Sequence, residues 1–156
     1  GTKANILALD KDTGKLIWES PGMEELSAYC SPRIVEIQNT KLLVTQTSAS
    51  ILGLDAGTGD VLWSYPHPNK WSVQANTPIY KDGKLYCFSG YGKGGVMLQL
   101  SEEGKRLIKY GKIHHSIQKW VGLYYWMVIY MDRVMPTKSG SVLTGKPAKT
   151  YTRQQC

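Results

Sequence analysis

A stretch of fifteen residues occurs twice in this chain. ILALDKDTGKLIWES (6–20) aligns without gaps on ILGLDAGTGDVLWSY (51–65), with seven identities at an offset of 45 residues. Asp10, Thr13, Gly14 and Trp18 recur as Asp55, Thr58, Gly59 and Trp63. Upstream, YCSPRIVE (29–36) parallels ANTPIYKD (75–82). LQLSEEGKR (98–106) is a weaker third copy, with Ser101 and Gly104 in place of the Asp and the Gly. A period of this length marks a chain built from one supersecondary unit, stacked so that each unit covers the next.

Each copy reads as a β-hairpin. The first arm, Ile6–Leu9 in one copy, is apolar on both faces, as expected of a strand covered on both sides. Asp10 turns the chain with its own carboxylate, and Gly14 supplies the positive φ of a hairpin bulge. The second arm, Lys15–Trp18, ends in a large aromatic. Burying ~150–250 Å² of tryptophan at ~25 cal/mol per Å² contributes roughly 4–6 kcal/mol as an upper bound. A ring at one place in every unit therefore fastens each unit to its neighbour. Further strands are expected at Arg33–Ile37, at Lys41–Thr45, and at Lys84–Phe88 after the turn Asp82-Gly83.

Several short strands per period point to four-stranded blades and hence a β-propeller. The pattern A/G-x-D-x-x-T-G-x-x-x-W is carried by Ala8, Asp10, Thr13, Gly14 and Trp18, and again by Gly53, Asp55, Thr58, Gly59 and Trp63. It resembles the tryptophan-docking repeat of pyrroloquinoline-quinone (PQQ)-like β-propellers. The resemblance covers residues 1–105. It implies an all-β chain, a partial propeller of about two to three four-stranded antiparallel blades with a poorly structured C-terminal tail. Closing a ring takes several blades of ~45 residues each, so the chain is expected to be a fragment of a larger one. Its start at Gly1 fits a fragment or a processed product. The open ends of such a piece expose strand edges and favour self-association.

The family resembled holds two functional classes. Quinoprotein dehydrogenases bind PQQ and a calcium ion at the propeller's centre, often under a disulfide between adjacent cysteines. Non-catalytic members include the lipoprotein of the outer-membrane β-barrel assembly machinery. Here Cys30, Cys87 and Cys156 are far apart in sequence, and no Glu/Asn/Asp calcium set carries over. The resemblance therefore implies a non-catalytic scaffold or binding module with protein partners and no cofactor, set in the bacterial periplasm or at the outer membrane. A fragment of a PQQ- and calcium-dependent dehydrogenase is the alternative.

Residues 106–156 break the pattern. The first 105 residues hold 10 Lys/Arg and 11 Asp/Glu, whereas the last 51 hold 9 Lys/Arg and the single acid Asp132. A tryptophan is due near position 108, where Ile108 stands. Reading the coding sequence one base out of register restores the landmarks. Trp126–Met127 must then yield Asp, Met127–Val128 must yield Gly, and Ser141–Lys149 can hide L-D-W-K-T-G-K. The forced Asp-Gly falls 44–45 residues after Asp82-Gly83. The expectation is a change of reading frame between about Glu103 and Lys109. The basic tail would then carry no functional message, and its capacity to bind nucleic acid would be incidental.

The remaining motifs have plainer readings. Gly140, Gly145 and Lys146 imitate a phosphate-binding loop, but Pro147 stands where a magnesium-binding hydroxyl belongs. His114-His115 point to opposite faces of a strand and lack a third ligand. Tyr91–Gly95 lies between strands and reads as a connection between blades rather than an anion nest. Asp10 and Asp55 read as turn residues rather than acids or calcium ligands. No catalytic set of Ser/His/Asp or Cys/His can be assembled. The longest apolar run, GLYYWMVIYM (122–131), falls short of the ~20 residues of a membrane span.

Overall fold

The computed structural model describes residues 3–113. Ten strands run in chain order: β1 Leu7–Leu9, β2 Leu16–Glu19, β3 Arg33–Ile37, β4 Thr40–Gln46, β5 Ser50–Asp55, β6 Val61–Pro66, β7 Ile79–Lys81, β8 Lys84–Ser89, β9 Gly94–Leu100 and β10 Leu107–Ile113. No helix occurs among the described residues. β3–β6 form one four-stranded antiparallel sheet, β7–β10 form a second, and β1–β2 form a two-stranded ribbon. The fold is thus all-β, two complete blades preceded by the last hairpin of another. Period-2 alternation explains why the strands are apolar on both sides. Leu42, Val44, Ile51 and Trp63 face the second blade, where they meet Leu85, Cys87, Val96 and Leu98. Leu43, Leu52 and Leu54 face the ribbon, where Ile6 and Trp18 cover them.

The three hairpins share one register. Ala8 opposes Trp18 and Gly53 opposes Trp63, with a bulge one residue after each small residue. In the third hairpin Gln99 opposes Lys109, again beside a bulge. The tryptophan position of that copy is therefore Lys109, not 108, and Ile108 falls at the irregularity, exposed. Strand β10 runs past residue 105 and completes its blade with neither the tryptophan nor the small residue opposite. At Asp82-Gly83, φ of +49° and +76° close the two-residue turn joining β7 to β8, a conformation that Asp and Gly favour. Tyr91–Gly95 is not a connection between blades: it spans the tight turn from β8 into β9, whose antiparallel pairing closes at Ser89 and Gly94 within one blade.

Candidate functional site

At one end of the blades the repeated turns act as receptors for the tryptophans. Asp10 Oδ1 accepts from the Thr13 amide and hydroxyl, each at 2.7 Å, and from the Asp12 amide at 3.2 Å. The Thr13 hydroxyl, then the Thr13 and Asp12 amides, hold the Asp10 carboxyl below its ordinary range. Asp55 Oδ1 accepts from the amides of Gly57 and Thr58 at 2.8 and 3.2 Å. Thr58 instead turns its hydroxyl to Asp60 Oδ2 at 2.7 Å. Gly14 and Gly59 take φ of +70° and +82° as their amides bond back to Asp10 and Asp55. In the third copy, one residue shorter, the Gly104 amide bonds to the Ser101 carbonyl three residues back, with φ of +74°.

The tryptophans dock on these turns one unit ahead. Trp18 Nε1 donates to the Ala56 carbonyl at 3.1 Å, and a Cβ at Gly59 would sit 2.4 Å from its ring. Trp63 Nε1 donates to the Gly104 carbonyl at 3.0 Å. Its ring lies so close to Gly53 that a Cβ there would come within 2.1 Å. A small residue at position 53 is therefore a packing requirement. The first turn in the series differs: nothing among the described residues lies within 4 Å of a Cβ built at Gly14. The adjoining ribbon leaves Leu7, Leu9 and Ile17 exposed.

The other end of the blades is polar. Gln46, Thr47, Ser50, His67, Gln74 and Ser89 are all buried there, at strand ends and in the loops beyond them. Ser50 Oγ donates to Glu25 Oε1 at 2.8 Å, and the Thr47 hydroxyl donates to Glu25 Oε2. Gln46 Nε2 reaches the Asn76 carbonyl at 2.6 Å, and Gln74 Nε2 bridges the carbonyls of Thr47 and His67. Gln46 Oε1, Gln74 Oε1 and His67 Nε2 are buried without a hydrogen-bond partner among the described residues. Buried polar atoms are normally paired, so three orphans at one end mark it as the place where a ligand or ordered water belongs. Two recesses open beside them, of about 500 Å³ near Cys30 and Gln46 and about 330 Å³ near His67.

Burial sets the ionisation of several titratable groups in and beside this end. Burial pushes the Cys30 and Cys87 thiols up, leaving them protonated and poor nucleophiles. His67 is pushed down to about 4, first by burial and then by the nearby Lys93 cation. No group of three or more His, Cys, Asp or Glu side chains fit to hold a metal occurs among the described residues. Of the motif residues, the structure brings Trp18 to Gly59 and Trp63 to Gly53, while Asp10, Thr13, Asp55 and Thr58 stay in the turns. His67, Gln46 and Gln74 carry no motif in the sequence. The phosphate-loop imitation, His114-His115 and the out-of-frame landmarks lie outside the described residues.

With this geometry in view, residues 2–123 match the family described as outer membrane protein assembly factor BamB. That covers well over half of the 156 residues. The chain belongs to this PQQ-repeat family of β-propellers. The match extends beyond the expected end of the repeat at residue 105 and takes in the whole of β10. No curated protein aligns with the chain as a relative. No helix among the described residues is long and apolar enough to cross a membrane.

Proposed function

We propose that the chain is a non-catalytic scaffold or binding module, a portion of a larger propeller that works through protein partners at the outer membrane or in the periplasm. The observation that carries this reading is the empty Gly14 turn. It has the backbone of the occupied Gly59 turn and the same Asp and Thr, yet no indole among the described residues sits on it. Leu7, Leu9 and Ile17 lie exposed beside it, where a preceding unit would cover them. The family's description supports the setting and the class of partner.

Placing a copy of residues 6–50 ahead of Ile6, in register with the 45-residue period, tests the structural half. The added tryptophan is expected to protect the Gly14 amide from hydrogen exchange and to raise Tm, and Gly14→Val is expected to cancel both gains. No protection and no gain in Tm would refute the reading. The functional half is tested by dye reduction with added PQQ and Ca²⁺ in an intact family member that contains this segment. Turnover there would favour the dehydrogenase alternative, whereas capture of an assembly-machinery protein without turnover supports the scaffold.

We also retain the change of reading frame as a proposal. The forced Asp-Gly at Trp126–Val128 supports it. Strand β10 and a family match reaching residue 123 favour a boundary later than residue 105. The coding DNA decides, and an unbroken frame shared with intact relatives through Cys156 would reject it.

A further inference from the structure

Where β6 ends, the two complete blades leave a recess of about 330 Å³, lined in part by Tyr65, Pro66, His67, Lys93, Val96 and Lys112. That volume is at the small end of the range for small-molecule sites. Its wall has two characters. Pro66, Val96 and Ile113 make an apolar side. Lys93 and Lys112 make a cationic side with no carboxylate in the lining, and neither lysine has an ion-pair partner among the described residues. His67 is only 4% exposed, and its Nε2 has no partner. Burial and Lys93 keep the imidazole neutral, so one ring nitrogen carries a hydrogen to donate. Burial and the adjacent Tyr110 push the Tyr65 hydroxyl up, which keeps it a donor as well.

Each titratable group among the described residues of this lining is therefore either a cation or a potential donor, and none is an anion. Two cations with a buried donor suit a group of one negative charge with two acceptor oxygens. The apolar side suits a body attached to that group and would desolvate a phosphate's remaining oxygens without partners. We propose that this recess binds a carboxylate borne on an apolar body, with Lys93 and Lys112 neutralising the charge and the neutral His67 ring in the wall beside them. The carboxylate's source is either a free organic acid or an acidic side chain of a partner protein. The site lies between the two complete blades and does not depend on a unit preceding the Gly14 turn, so either idea can fail while the other stands.

The test is an NMR titration of the full chain carrying ¹³C/¹⁵N-labelled histidine. The chain has three histidines, and His67→Gln assigns the relevant resonances. Benzoate is expected to shift the His67 ring signals saturably and to raise the ring's pKa, because a nearby anion favours the imidazolium. Benzamide, the neutral analogue, is expected to do neither. The double variant Lys93→Met/Lys112→Met is expected to lose about tenfold or more in benzoate affinity. Equal responses to benzamide and benzoate, undiminished binding by the double variant, or saturation by inorganic phosphate without benzoate binding would each overturn the proposal. If the double variant does not fold, the benzoate–benzamide comparison on the unsubstituted chain still decides. A blocked Phe-Glu dipeptide separates the sources. Tighter binding than benzoate supports a partner's side chain, and weaker binding supports a free acid.

Discussion

The ribbon β1–β2 and the hairpin β5–β6 carry the same motif and end up in different surroundings. In β5–β6, Gly59 receives Trp18 while Trp63 is buried, 7% exposed, against the next blade. In β1–β2, Trp18 is docked but only half-buried, and the Gly14 turn meets nothing among the described residues. The turn chemistry is complete in both, so the hairpin shape is local. The packing is complete in one alone, so burial belongs to the pair of units and not to the motif. A repeat of this kind makes every unit both a donor of a ring and a receptor for one. A unit at an open end keeps only half of its interactions.

The largest effect expected is from Trp63→Ala, which should cost about 3–5 kcal/mol in urea unfolding. Trp18→Ala should cost less, because its ring is less buried; equal losses would break the comparison. Next come the glycines. Gly59→Ala should cost about 2–4 kcal/mol, since a Cβ at positive φ would also strike Trp18. Gly14→Ala, strained in φ but facing open space, should cost only about 1 kcal/mol by the same measurement.

A third expectation concerns the polar end of the blades. His67 titrates at about 4 in the fold against 6.5 when free, so between these values the unfolded chain binds the extra proton. Its contribution is full above pH 6.5 and is lost as pH falls toward 4. The loss should be about 1–3 kcal/mol, and His67→Gln should flatten that part of the stability profile. The smallest effect is at the first turn. Thr13→Ala should bring the Asp10 carboxyl back up toward its ordinary range, as read by NMR titration, while hardly moving Tm. An unchanged Asp10 titration would mean that the turn does not depend on the threonine.

Much of the architecture was legible because it is local and repeated. Arg33–Ile37 is a strand with the expected bounds, and Lys41–Thr45 and Lys84–Phe88 are each extended by one or two residues. The third hairpin was harder. Lys109 and Gln99 replace the aromatic and the small residue, and the bulge moves the register by one, so β10 had no residue signature to announce it. The candidate site was not legible at all. A histidine in the loop after β6 and two glutamines more than twenty residues apart form no spacing pattern. Burial alone brings them together, where adjoining strand ends and loops meet.

By itself the amino-acid sequence determined the unit. Asp, Thr and Gly shape the turn through bonds spanning three or four residues, and alternation gives each strand two apolar faces. Only the tertiary structure decided which faces are covered, that Gly14 stays empty while Gly59 is filled, and that His67 is buried without a partner. Those outcomes depend on contacts between residues tens of positions apart, fixed by how whole blades stack and not by any local preference.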